Sequence, residues 1–157
     1  MANSLSMIWD NLYGIIKDDA VFANTAVSQD VFDSIPEEVD AAEASFPRVS
    51  VFYLQGTKIQ EVRPAVASNG DREWTTIFVS VVAKDDTGPV ASAKSCLDLV
   101  DVIKAIVKSN RGLLYKGTPA AETVRVDSVS FKTRKDLSEQ SWYSLAAIRI
   151  EVVNRRD

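Results

Sequence analysis

The sequence predicts an α+β fold, with a mainly antiparallel sheet of about five strands and two helices packed on one face, in the order α-β-β-β-α-β-β. Three observations predict it. Apolar residues recur at helical spacing in two separate segments, they alternate at strand spacing in several others, and Gly-, Pro- and Asp-rich breaks divide the two kinds. The 157 residues read as one domain, because a domain of ~100–200 residues is the usual size and buries enough surface to need no covalent staple.

The first helix rests on Leu5, Ile8, Leu12, Ile15 and Ile16, which share one face and leave Ser6, Asp10, Asn11 and Lys17 outward. Asn3 or Ser4 can cap its start, and Gly14 weakens its last turns. Residues 18–45 are acidic and small, with Val31, Phe32 and Ile35 as sparse apolar anchors. They read as a surface insertion, with one short helix over 36–44 that Pro36 could open.

Three strands follow. Residues 48–54 are β-branched and aromatic and are led in by Pro47. Residues 58–66 form a weaker strand, which Pro64 assigns to an edge. In the third, Thr75, Ile77, Val79, Val81 and Ala83 line one face and Trp74, Thr76, Phe78, Ser80 and Val82 the other. The polar stretch 68–72, with Asn69-Gly70, marks the hairpin tip between the last two. After the break at 85–89, Cys96, Leu99, Val100, Ile103, Ile106 and Val107 form the stripe of a second helix over 92–110. Residues 124–132 and 142–153 close the sheet. Apolar parity switches from Val124 and Val126 to Val129 and Phe131, which predicts a one-residue bulge at Asp127-Ser128. In the last strand Ala146, Ile148, Ile150 and Val152 oppose Arg149 and Glu151.

Composition removes whole classes of chemistry. With no histidine there is no Ser-His-Asp or Cys-His couple, and with one cysteine there is neither an internal disulfide nor a zinc cage. Cys96 sits on an apolar stripe and reads as a small core hydrophobe. Asp85-Asp86 could in principle hold a cation but fits better as a solvated strand stop, and Lys116-Gly117-Thr118 lacks the rest of a phosphate loop. The expectation is a non-enzyme with no cofactor and no metal. The N-terminus does not read as a signal peptide and no apolar run reaches membrane-spanning length, so the chain reads as soluble and cytoplasmic in origin.

Net charge is −4, which disfavours duplex nucleic acid as a partner. The charge is unevenly placed. No basic residue lies between Lys17 and Arg48, where Asp18, Asp19, Asp30, Asp33, Glu37, Glu38, Asp40 and Glu43 cluster. From Lys104 to Lys135 eight basic residues face only Glu122 and Asp127. Two solvated surfaces or two contact surfaces both account for this. Asn69, Asp71, Arg72, Trp74 and Phe78 are the candidate interface residues: a polar tip, plus two aromatics on the less apolar face of the third strand.

Phe46-Pro47-Arg48-Val49-Ser50-Val51, the segment 97–110 followed by Gly112-Leu113-Leu114, and the long last strand 142–152 together resemble, in order rather than identity, the phage tail-terminator family (minor tail protein U-like tail-completion proteins). The resemblance implies a virion structural protein, assembled in the host cytoplasm, whose hexameric ring caps the tail tube, stops its polymerisation and offers a surface to neck or head-completion proteins. It implies the tail-tube protein and other copies of itself as partners, no membrane, no sequence-specific nucleic acid, and a lumen through which genome DNA could pass. The alternatives are another neck component such as a head–tail connector, a tail-tube subunit, or a small monomeric ligand-binding or regulatory α+β domain.

Overall fold

The computed structural model describes residues 4–29, 46–52, 60–62, 71–113, 115–137 and 140–156. Helix α1 (Leu5–Lys17) starts where Ser4 Oγ accepts the Met7 amide at 3.1 Å, which satisfies one of the N–H groups a helix start leaves unpaired. Ile8, Leu12 and Ile16 are fully buried along one stripe. The helix runs through Gly14, although glycine is a poor helix former. A Cβ at that position would stand 2.5 Å from the Tyr115 ring, so the missing side chain is what lets the ring lie against the helix. Tyr115 then donates to Asp18 at 2.7 Å.

The stretch read as an insertion is ordered at its start. A 3-10 turn (Ala20–Phe22), capped by Asp19, buries Phe22 in the core, and a short strand β1 (Ala26–Ser28) pairs parallel to β2 (Arg48–Phe52). Three residues without clear alternation gave no strand signal in the sequence; partner pairing makes the strand. The short helix expected over 36–44 lies outside the described residues.

β3 (Gln60–Val62) lies within the second expected strand, and β4 (Asp71–Asp85) spans the third. β2 and β3 pair antiparallel with the same edge of β4: Arg48 faces Val82 through to Phe52 facing Phe78, then Gln60 faces Trp74 through to Val62 facing Arg72. They are two segments of one edge, separated by residues 53–59, where β4 carries only 75–77. Asp71 and Arg72, from the expected tip, belong to β4, where they oppose Arg156 and Arg155 of β6 (Ser141–Arg156), because pairing with β6, and at Arg72 also with β3, extends the strand into polar sequence. Asn69 and Pro64 lie outside the described residues.

Helix α2 (Pro89–Ser109) opens with proline at its first position, where the missing N–H has no partner to lose. It crosses to β5 (Thr123–Asp136), which pairs antiparallel with β6. The register shifts between Val126 and Ser128, at the predicted bulge. In the crossover, Lys116 and Gly117 both take positive φ, 48° and 80°, while Tyr115 and Thr118 exchange two backbone hydrogen bonds. Lys116-Gly117 is therefore the centre of a tight turn, and glycine supplies the left-handed conformation there at no steric cost.

The sheet order is β1-β2-β4-β6-β5, with β3 beside β4. Both helices cover one face, where Val49, Val51, Ile77, Val79, Val81, Ile148 and Ile150 meet Ile8, Leu12, Val100 and Ile103. Each such side chain taken fully out of water contributes ~1.5–3 kcal/mol. Two polar links fix the helices. Trp9 Nε1 donates to Val51 O at 2.7 Å, and Ser92 Oγ lies 2.8 Å from Ser144 Oγ. The opposite face has its own small cluster, Val82, Tyr143 and Leu145 with Phe46, in which the Phe46 and Tyr143 rings meet edge-on at 5.5 Å.

Candidate functional site

The sheet has two unlike ends. At one end β5 pairs only with β6 among the described residues, and residues 127–133 are exposed on both faces of the strand. Val129 and Phe131 are 37% and 43% exposed, although their parity matches the buried side, because α2 packs over the other half of β5. An edge of fourteen residues with no second partner strand among the described residues is a template for another chain unless protected, and this edge carries Lys132, Arg134 and Lys135 as charged guards.

Between the end of α2 and the start of β5 lies an open groove of about 490 Å³. Its floor is apolar, with Val107 and Val124 buried and Val126 half-buried. Its rim carries Lys104, Lys108, Arg111 and Arg125. The fold converges these charges because Lys104 and Lys108 sit one helical turn apart and Arg111 follows the helix end, where cations also suit the helix dipole. Arg125 is committed to Glu151, with Nη2 at 2.6 Å, and that partner holds its guanidinium pKa above the ordinary value, first through the hydrogen bond and then through charge. Arg149 and Asp127 pair similarly at 3.4 Å on the same outer face. Among the described residues, the groove's positive charge without an ion-pair partner therefore rests on Lys104, Lys108 and Arg111. Sequence reading found these charges but not the groove, because their convergence with Val124 and Val126 depends on how α2 packs against β5.

At the other end stands the short strand β1. Asp19 accepts the Val21 amide, and Asp10 accepts from Gln29 Nε2 at 2.9 Å. Gln29 and Phe46, which bound the acidic segment 30–45, flank the β1-β2 pair.

The five predicted interface residues are only partly brought together. Trp74 is 36% exposed on the outer face of β4, and Phe78, four residues on, is half-buried and stacks on Phe52 with ring centroids 5.7 Å apart. Asp71 and Arg72 are placed by backbone at the start of β4, and Asn69 lies outside the described residues.

The remaining chemical candidates have local roles. Asp85 accepts from Thr87 Oγ1 at 2.5 Å and from the Thr87 amide at 2.8 Å, which lowers its carboxyl below the usual value, and Asp86 accepts from Ser141 at 2.6 Å. This pair organises the turn into α2. Among the described residues no cluster of three metal-ligating side chains occurs, and no helix is long and apolar enough to cross a membrane. Cys96 is buried against Val81 O, and burial pushes its thiol from 9.0 up to about 11. A raised folded value means that the neutral thiol supports the fold in full below the ordinary value; that support is lost as pH climbs toward about 11. Cys96 should accordingly resist a maleimide or disulfide reagent at pH 7–8 and react at full rate only once urea unfolds the chain. Rapid labelling of the native protein would contradict its placement.

No family model matches the chain, and no curated protein does. Among solved structures it is similar to a chain from the virion of a native gene transfer agent (GTA) particle, with 16% identity, 90% of each chain covered and a TM-score of 0.48.

Proposed function

We propose that this chain is a virion structural protein of phage type, a tail terminator that closes head-to-tail into a ring and caps the tail tube. The observation that carries the reading is the pair of unlike sheet ends. The basic β5 edge, which has no second partner strand among the described residues, lies opposite the end from which a segment with six acidic and no basic residues continues. Surfaces that differ and sit on opposite ends of a subunit make heterologous contacts, which close into a ring when the rotation between copies permits. The order of elements supports the same reading. The Phe46-Pro47 lead into β2, the long α2 followed by Gly112 and Leu113, and the 16-residue final strand are the features in which the sequence resembles tail terminators.

Native mass spectrometry with negative-stain microscopy tests it. A closed hexamer is expected at low ionic strength, loosening as salt rises, because exposed charges are screened beyond ~8–10 Å near physiological ionic strength. Stacked open tubes would point to a tube subunit instead, and a strict monomer at high concentration would end the ring reading. In the same assay the Asp71→Ala/Arg72→Ala variant should still form rings but leave tails of uncontrolled length, if the start of β4 meets the tube. Normal tails would remove that site from the mechanism.

A further inference from the structure

We infer that the groove between α2 and β5 is the docking site for the acidic segment 30–45 of a neighbouring copy. The inference rests on the ring reading above and adds the contact that closes the ring.

Charge and apolar pattern both match. Segment 30–45 carries Asp30, Asp33, Glu37, Glu38, Asp40 and Glu43, no basic residue, and the apolar residues Val31, Phe32, Ile35 and Val39. The groove offers Lys104, Lys108 and Arg111 around a floor of Val107, Val124 and Val126. Asp101 and Glu122, the nearest acidic residues in sequence, are not among the residues that line it. An acidic segment with apolar anchors is the chemistry such a groove accepts: carboxylates at a basic rim and side chains on a dry floor.

Placement makes the contact intermolecular. The segment is tethered at both ends, at Gln29 and Phe46, beside the β1-β2 pair, whereas the groove lies at the β5 end. Four strand spacings separate β5 from the β1 tether and three from the β2 tether, roughly 14–19 Å at ~4.8 Å each. Any 16-residue stretch held at both ends can extend at most half its contour, roughly 27 Å. That leaves little reach for climbing over helices ~10 Å thick to the groove of the same chain. In a head-to-tail arrangement the neighbour's groove is brought to the segment. Because the two partners occupy opposite ends of the sheet, the contact propagates around a ring and does not pair two copies reciprocally.

A charge swap on the full-length chain decides the matter. Lys104→Glu, Lys108→Glu and Arg111→Glu together should weaken self-association by about tenfold or more while the chain stays folded, since close interfacial charge pairs couple strongly. Asp33→Lys, Glu37→Lys and Glu38→Lys should do the same from the other side. The chain carrying both sets, or an equimolar mixture of the two triple variants, should regain the oligomer. Lys94→Glu, on the wet face of the other half of α2, should change nothing. A wild-type ring that persists unaltered in both triple variants would overturn the inference and leave the ring reading standing, as would rings lost in each variant but not restored by the swap. A monomeric wild type would instead end the ring reading. The groove is then judged by fluorescence anisotropy, with a labelled synthetic peptide of residues 30–45 titrated onto the full chain. Binding that disappears in the groove variant sustains the docking site, and no binding overturns it.

Discussion

Asn11→Ala should destabilise the protein by about 1–3 kcal/mol in urea unfolding, although it removes an amide rather than an apolar group. Asn11 lies on α1, only 6% exposed, and its Nδ2 donates to Leu113 O and Thr118 O, both at 2.8 Å. These two bonds tie the crossover after α2 to the first helix, more than a hundred residues away in sequence. Alanine would leave the buried Leu113 carbonyl without this donor, at a cost of ~1–3 kcal/mol, whereas Thr118 O keeps the Tyr115 amide at 3.1 Å. The effect should reach the groove as well. Arg111 begins the tethered segment, so any ligand of the groove should lose affinity in Asn11→Ala while the Lys104 side keeps its helical support. A stability loss below about 0.5 kcal/mol, the range of an ordinary surface substitution, would show that the amide is not the tie described.

Ile148→Ala should cost about 3–5 kcal/mol, toward the upper part of the range for large-to-small core changes. Ile148 is fully buried on β6, between Val79 of β4 and Val129 of β5, beneath the helices. Strands on both sides and helices above leave no room for collapse, so the cavity stays largely open. Val129→Ala on the edge strand β5, directly opposite, should cost well under half as much because its side chain is already partly in water. Equilibrium unfolding of the two variants measures the contrast. Equal losses would mean that the β5 edge is covered in solution, by another copy or another protein.

The elements that the sequence displayed are those whose burial follows a fixed period. Ile8, Leu12 and Ile16 mark α1; Ile77, Val79 and Val81 mark β4; Ile148, Ile150 and Val152 mark β6. In each case one face meets a core and the other meets water, so the alternation survives in a single chain without knowledge of its partners. The parity switch around Asp127 located a bulge for the same reason: an extra residue must transfer every later side chain to the other face.

The less legible parts depend on contacts between segments distant in sequence. β1 exists because Ala26, Val27 and Ser28 find Arg48, Val49 and Ser50, and nothing in those three residues announces it. Gly14 read as a weakness in α1, whereas the Tyr115 ring, about a hundred residues later, requires the space it leaves. Asp71 and Arg72 read as loop, whereas the β6 ladder, joined at Arg72 by β3, draws them into β4.

By itself, then, the sequence determined the α+β class, the two helical stripes, the bulge, the buried cysteine and the segregation of acidic from basic charge, all of which depend on local periodicity or composition. Only the tertiary structure decided that β2 and β3 share one edge, that Asn11 ties the crossover to α1, and that Lys104, Lys108 and Arg111 surround an apolar groove at the end of the sheet opposite the acidic segment. Those facts are distances between residues far apart in the chain. They are set by how α2 seats on β5 and β6, a packing outcome that no local pattern encodes.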